Sequence, residues 1–353
     1  MYKDIDIADA LRMKNKCLLD VRSPAEFREA TIPGAVNIPL FDDDERRRIG
    51  ITYEEEGPAK AKLAGLKVVA PRLVTMVETI LRTCQEKTPV FFCWRGGMRS
   101  RTLVGVLELL DMKSYRIKGG YRAFRRLILH EFASYNLRPQ ILVLDGLAGV
   151  GKTTILRQLG KRGHPVLDLE GLAGHRGSVF GGLGAFQQRG QKMFDGLLWK
   201  RLQELNKFPY FLVEGEGKRI GRVYLPDFLY SSLVGGKRIK VEASVPVRVE
   251  RILQDYTPQG QVVVKEIEGA LDRLVKRLGK ALIDDLKSML EEGNLSSFVE
   301  ALLVKYYDPL YRKSQLPQRN YELIVGADEI VGALEKIEAY LKRNYYRRDP
   351  AVN

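Results

Sequence analysis

The chain has 353 residues, 45% of them hydrophobic and 29% charged, with a formal net charge of +14. That length suits two globular domains better than one oversized core, and the composition excludes a disordered, collagen-like or membrane chain. No run of about 18 consecutive apolar residues occurs, and the opening "MYKDIDIADALRMKNK" lacks the apolar core of a signal peptide, so a soluble, cytoplasmic protein with no membrane partner is expected. Three cysteines without metal-ligand spacing argue against a disulfide framework and against zinc, and no haem is expected. The positive surplus is shared, +6 in residues 1–137 and +8 in 138–353. A surplus on both halves suits an extended polyanion such as RNA, although a soluble protein of high pI explains the composition equally well.

In chain order, short strands such as "CLLDV" (17–21) and "VFFCW" (90–94) alternate with helical patterns. In "PRLVTMVETILRTCQ" (71–85), Leu73, Val77, Ile80, Leu81 and Cys84 recur at helical spacing. The pattern predicts an α/β domain with a parallel sheet over residues 1–133. Cys93 ends the second of these strands, and "MRSRTLVGVLELL" beyond it reads as a helix, so 93–99 is a strand-to-helix turn at the carboxyl edge of a sheet, where ligands bind. Gly96 and Gly97 let the backbone curl, the helix start at Met98 adds partial positive charge, and Arg95 and Arg99 add two full charges. Each effect favours thiolate over thiol, so Cys93 is expected to be a nucleophile facing an anion-binding loop. Cys84, on an apolar helix face, and Cys17, at a strand start, read as small core hydrophobes.

Residues 134–140, "SYNLRPQ", form the expected linker, since Pro139 precedes a new apolar strand. The second domain, 141–353, repeats the α/β class with strands in "QILVLD" (140–145), "PVLDLE" (165–170), "YFLVEG" (210–215) and "RIKVEAS" (238–244), followed by a helical C-terminal part. "GLAGVGKT" (146–153) fits G-x-x-x-x-G-K-[ST] between a strand and a helix, the pattern of a P-loop NTPase-like fold. Gly146, Gly149, Val150 and Gly151 offer backbone N–H groups to a di- or triphosphate. Lys152 neutralises its charge, Thr153 reaches a Mg²⁺, and Thr154 adds a second hydroxyl. Acidic residues at the ends of the following strands are the natural metal partners: Asp168 and Glu170, Glu214 and Glu216, with Thr153, Asp168 and Glu214 the chosen Mg²⁺ set. For each carboxylate a solvated side chain or a structural ion pair is an equal alternative.

The glycine-rich stretch 171–194 reads as a substrate loop carrying His175, Arg176 and Ser178, with a hydrogen-bonded structural histidine an equal alternative for His175. Near the end, "KYYDPLYRK" (305–313) interleaves Tyr306, Tyr307 and Tyr311 with Arg312 and lysines, as base-stacking RNA surfaces do, although tyrosines packed in a helical core explain it nearly as well.

Residues 1–130 resemble a rhodanese domain, on "LLDVRSPAEFREATIPGAVNIPL" (18–40) and "IKGGYRAFRR" (117–126). The resemblance implies that Cys93 carries sulfur or selenium. The common rhodanese loop places its arginine five residues after the cysteine, whereas Cys93 and Arg99 are six apart, which makes room for a donor larger than thiosulfate. Over nearly the whole chain, "CWRGGMRS", "GLAGVGKT", "LDLEGLAGHRGS" and "YYDPLY" resemble the bacterial tRNA 2-selenouridine synthase family. That resemblance implies a transferase acting on tRNA that carries wobble 2-thiouridine. Such an enzyme replaces the sulfur with selenium from selenophosphate, through an S-geranyl-2-thiouridine intermediate made with geranyl diphosphate. Mg²⁺ is a candidate cofactor, and an enzyme that produces selenophosphate is a candidate partner. The alternatives are an ATP- or GTP-dependent RNA kinase or NTPase with a rhodanese-like regulatory domain, and a non-catalytic sulfur carrier or tRNA-binding adaptor.

Overall fold

The computed structural model of the protein describes residues 3–175, 188–256, 267, 269, 271, 272, 274–314 and 320–345. The chain divides into two compact units, Met1–Tyr135 with Gly190–Lys200, and Asn136–Arg189 with Arg201–Asn353. Among the described residues no helix is long and apolar enough to cross a membrane.

The first unit is built on five parallel strands, β1 (Lys3–Ile5), β2 (Lys16–Asp20), β3 (Val36–Asn37), β4 (Thr88–Phe92) and β5 (Tyr115–Ile117), in the order β1-β5-β4-β2-β3. Side chains from β2 and β4 alternate between two cores. Cys17, Leu19, Phe91 and Cys93 pack with Ile80 and Cys84 of helix Leu73–Cys84 and Leu103 of helix Met98–Glu108. Leu18, Val90 and Phe92 pack on the other face with Tyr121, Phe124 and Ile128 of helix Gly120–Ala133. A parallel strand covered on both faces must be apolar throughout, which is why the sequence shows runs here rather than alternation. Cys17 and Cys84 are core residues as expected, and burial pushes the Cys84 thiol above its ordinary range.

The "LLDVRSP…TIPGA" signature is held by a fully buried ion pair at the end of β2. Arg22 Nη2 lies 2.6 Å from Asp20 Oδ2, Thr31 Oγ1 donates to the same oxygen at 2.8 Å, and Arg22 Nη2 also donates to the Ala30 carbonyl at 2.6 Å. The guanidinium stands 4.4 Å from the Tyr121 ring centroid, so one arginine ties the N-terminal signature to the "GGYR" segment. Sequence reasoning did not anticipate that residues 190–200 belong to this unit. Trp199 meets Phe124 edge-on at 5.8 Å, and Asp195 pairs with Arg125 at 2.9 Å.

The second unit has a parallel sheet of β6 (Gln140–Asp145), β7 (Val166–Leu167), β8 (Tyr210–Glu214), β11 (Lys237–Glu242) and β12 (Tyr321–Gly326), in the order β12-β11-β6-β8-β7. Between β8 and β11 runs a short antiparallel pair, β9 (Arg219–Ile220) and β10 (Val223–Tyr224). The helical part is an excursion between β11 and β12. Helices Lys280–Glu291 and Leu295–Leu302 build their own core around Ile283, Leu286, Phe298 and Leu302 with Val249, and the chain then returns to the sheet through β12 and helix Ile330–Tyr345. Leu303–Tyr307 forms a π-helical turn directly before Pro309, whose missing N–H removes one ordinary helical hydrogen bond at that point.

Removing one partner of a buried ion pair leaves the other charge uncompensated. Asp20→Ala should therefore cost about 3–5 kcal/mol of unfolding free energy, read from the urea midpoint at constant slope. A loss below about 1 kcal/mol would show that the pair does not hold the signature together.

Candidate functional site

β4 delivers Cys93 to the carboxyl edge of the first sheet, and the backbone then curls back over the sulfur. The Gly97 N–H lies 3.2 Å from Cys93 Sγ, and Ser100 Oγ lies 3.3 Å from it while also donating to the Gly97 carbonyl at 3.2 Å. The thiol itself is buried, whereas Arg95, Gly97 and Met98 are exposed around it. Two glycines make the curl sterically feasible. Gly96 has φ +66°, and Gly120 has φ +56° with its Cα so close to the loop that a Cβ would stand 2.2 Å from the Cys93 carbonyl oxygen and 2.5 Å from Gly96 N. The N–H groups of Tyr121 and Arg122 then donate to the carbonyls of Cys93 and Trp94 at 2.8 and 3.1 Å. The "KGGYR" segment is thus the seat on which the cysteine loop rests.

Arg99 does not act as a free charge beside the sulfur. Both of its terminal nitrogens are held by the Glu26 carboxylate, Nη2 at 3.2 Å from Oε1, and Arg46 Nε approaches the same carboxylate at 4.0 Å. Burial alone would raise the Glu26 carboxyl, but Arg99 outweighs it and holds it below the ordinary range. Glu26 is itself part of a capping box with Ser23 at the start of helix Pro24–Glu29. Ser100 and Glu26 escaped sequence reasoning. The first is an unremarked serine one turn into a helix, and the second is 73 residues from its partner.

The second site begins where β6 ends. Gly146, Gly149 and Gly151 all take positive φ, and helix Lys152–Lys161 follows. Lys152 Nζ donates to the carbonyls of Gly146 and Leu147 at 2.8 and 2.9 Å and stands 5.6 Å from the Tyr311 ring centroid. Val150 puts its side chain into the core and leaves only its backbone to the loop, while Thr154 is exposed. Two arginines of helix Val245–Tyr256 hold the loop. Arg248 Nε donates to the Ala148 carbonyl at 2.8 Å and Arg251 Nη1 to that of Val150 at 3.0 Å. Arg248 is buried and gripped at 2.6 and 3.0 Å by both oxygens of Asp308. The aspartate of "YYDPLY" therefore serves the P-loop through an arginine 60 residues away.

Thr153 Oγ1 donates to Glu214 Oε2 at 3.2 Å, which places the hydroxyl against the carboxylate at the end of β8. Glu214, Glu170 and Glu216 each offer an oxygen within 4.8 Å of the others, and Glu214 Oε1 is buried with no hydrogen-bond partner among the described residues. Asp168 is committed elsewhere. It caps helix Leu169–Ala173 by accepting from Gly171 N at 2.7 Å and pairs with Arg157 at 3.4 Å, and the carboxylate of that segment that lies with Glu214 and Glu216 is Glu170. A cluster of hard oxygens beside a P-loop hydroxyl fits Mg²⁺. Burial and the neighbouring Glu170 carboxylate push the Glu214 carboxyl up to about 7 and that of Glu216 up to about 8, with Lys152 opposing both.

His175 packs its ring on Gly221, and burial lowers its pKa; its Nδ1 is buried and has no hydrogen-bond partner among the described residues. Arg176 and Ser178 lie outside the described residues, as does the side chain of Arg312. Tyr306 corrects an expectation. It is 4% exposed in the helical core, with its ring edge-on to Tyr307 at 5.0 Å, and cannot stack on a base. The apolar spacing of the helix won over the basic-aromatic pattern.

The raised carboxyls give a pH dependence of definite sign. Glu214 and Glu216 hold protons in the folded state that they release when unfolded, so their contribution to stability is full below about pH 4 and is lost as pH rises through about 7 to 8. A divalent cation removes the repulsion. The gain in melting temperature on adding Mg²⁺ should therefore grow from pH 6 to pH 8.5 and shrink in Glu214→Gln. A gain independent of pH and unaffected by that substitution would place Mg²⁺ elsewhere.

Two family models match the chain, a rhodanese-like domain over residues 5–127 and the tRNA 2-selenouridine synthase AAA domain over residues 139–345. The protein named tRNA 2-selenouridine synthase in Sulfurovum sp. (strain NBC37-1) is 32% identical over 94% of this chain and 95% of its own length. Those of Nitrosomonas europaea and Marinobacter nauticus are 31% and 33% identical, over 93% and 89% of this chain and 96% and 92% of their own lengths. With a cysteine loop in the first matched region, a P-loop in the second and relatives aligned almost end to end, the chain belongs to the tRNA 2-selenouridine synthase family.

Proposed function

We propose that the protein modifies tRNA, replacing the sulfur of wobble 2-thiouridine by selenium in two steps carried by different sites. The observation that carries this reading is the presence, in one family-matched chain, of a thiol loop on one unit and a P-loop with a carboxylate cluster on the other. In the first step the thiocarbonyl sulfur attacks the first carbon of geranyl diphosphate, the C–O bond breaks, and diphosphate departs. Lys152 and the loop N–H groups of 146–151 stabilise that leaving group, and Thr153 with Glu170, Glu214 and Glu216 would hold Mg²⁺, which neutralises its charge. Alkylation turns a poor leaving group into a better one.

In the second step selenium attacks C2 of the base, the C2–S bond breaks, and the geranyl thiolate leaves and takes a proton. The overall balance is S-geranyl-2-thiouridine, selenophosphate and water giving 2-selenouridine, geranyl thiol and phosphate. Cys93, with the Gly97 N–H and the Ser100 hydroxyl against its sulfur, is the group assigned to this step. Selenophosphate then comes from a partner enzyme, and basic residues on both units track the tRNA backbone.

Geranylation needs no thiol, so Cys93→Ser should stop selenium insertion while S-geranyl-2-thiouridine accumulates on the tRNA. Lys152→Ala should suppress geranylation by about 100-fold or more, as loss of a single oxyanion-type donor does, yet still insert selenium into tRNA supplied already geranylated. Both results are read by mass spectrometry of digested tRNA, with folding checked by circular dichroism. Loss of geranylation in folded Cys93→Ser, or intact geranylation in Lys152→Ala, would contradict this division of labour.

A further inference from the structure

The first unit carries an apolar groove that nothing in the two-step scheme has yet used. It encloses about 530 Å³ between helices Asp43–Glu55 and Pro58–Val69 and the first turn of Met98–Glu108. Phe41, Ile49, Tyr53, Leu66, Val69 and Met98 line it. Tyr53, Leu66 and Met98 are 58%, 56% and 53% exposed. Single exposed apolar side chains are ordinary, but several facing one groove mark a binding surface. A cavity of this size suits a small ligand.

Its position ties it to the cysteine loop. Met98 directly follows Gly97, whose N–H touches Cys93 Sγ, and Phe41 and Val69 share one core cluster with Cys93. The charges on its lining argue against a diphosphate. Arg99 and Arg46 both turn to Glu26, and the remaining charged lining residues, Lys62 and Glu54, are opposite in sign. An anionic head would have to compete with a carboxylate already in place, whereas an uncharged chain would not.

We infer that this groove binds the apolar chain of the S-alkylated base during selenium insertion, so that the geranyl thioether lies along the Tyr53–Leu66–Met98 surface with its C2–S bond towards the cysteine loop. The inference rests on the two-step reading above. It makes the geranyl group a recognition handle for the second step as well as a means of activating sulfur. The groove holds the chain that departs as geranyl thiol.

The test compares tRNA carrying S-geranyl-2-thiouridine with the same tRNA carrying S-methyl-2-thiouridine, each incubated with selenophosphate and the full-length protein. Burial of even two carbons' worth of chain gives about ten-fold. kcat/KM for 2-selenouridine formation should therefore favour the geranyl substrate by about ten-fold or more, mainly through KM. Leu66→Asp, at an exposed position, should narrow that ratio to within about three-fold, and Leu66→Met should restore it. Equal rates for both substrates in the unaltered protein, with selenium inserted into each, would overturn the groove assignment while leaving the proposed reaction standing. A preference that survives Leu66→Asp would also overturn it, as would a Leu66→Asp protein that fails instead to make S-geranyl-2-thiouridine from geranyl diphosphate. If neither substrate yields 2-selenouridine, the two-step reading itself falls and takes this inference with it.

Discussion

A parallel strand buried on both faces can present a side chain to a ligand only where it ends, and the Cys93 loop and the P-loop both begin at such an end. β4 runs apolar to Phe92 and then yields Cys93; β6 runs apolar to Leu144 and then yields the P-loop. In each case the chain must reverse into a helix within a few residues, which turns successive N–H groups towards one point and puts a helix N-terminus behind them. The requirement for glycine follows from that reversal. At Gly120 the seat of the cysteine loop comes so near the Cys93 carbonyl that no side chain fits, and at Gly149 the P-loop passes 2.9 Å, measured from a notional Cβ, from the Arg248 carbonyl.

The two loops are held by different means. The cysteine loop is supported by backbone hydrogen bonds from Tyr121 and Arg122, and two nearby arginines are paired, Arg22 with Asp20 and Arg99 with Glu26. The P-loop is clamped by side chains, with Arg248 and Arg251 on its carbonyls and Asp308 fixing Arg248 in turn. Buried charges of this kind are worth retaining where they fix geometry, because each hydrogen-bonding position on the guanidinium is directed at a particular oxygen. Lys152 opposes the upward shift that burial gives the carboxyls of Glu214 and Glu216, a balance that a bound cation would reset.

What could be read from the sequence was whatever is local. The α/β class, the parallel sheets, the cysteine at a strand end and the glycine-lysine-threonine pattern at 146–153 all depend on neighbours within a few residues, and the family resemblance rested on the same short stretches. Pairings across the chain could not be read. Arg248 with Asp308, Arg99 with Glu26 and residues 190–200 returning to the first unit are set by packing, and no spacing in the sequence encodes them. Short strands such as β1, β3 and β5 have too few residues to show a period, and the edge strand β12 mixes exposed and buried positions. Asp168 rather than Glu170 was expected in the Mg²⁺ set, because nothing local shows that Asp168 caps a helix while Glu170 lies with Glu214 and Glu216. Tyr306 shows the opposite error, in which a surface composition was read from a segment whose helical face is core.

In the proposed reaction one polypeptide first alkylates the base and then replaces its sulfur. It is tested most directly by a single-turnover time course in which the protein, Mg²⁺, geranyl diphosphate, selenophosphate and tRNA bearing wobble 2-thiouridine are mixed without any nucleoside triphosphate and sampled by nucleoside mass spectrometry. S-geranyl-2-thiouridine should rise first and decay as 2-selenouridine appears, and omitting geranyl diphosphate should abolish both. Selenium insertion that proceeds equally well without geranyl diphosphate, or that requires ATP, would contradict it.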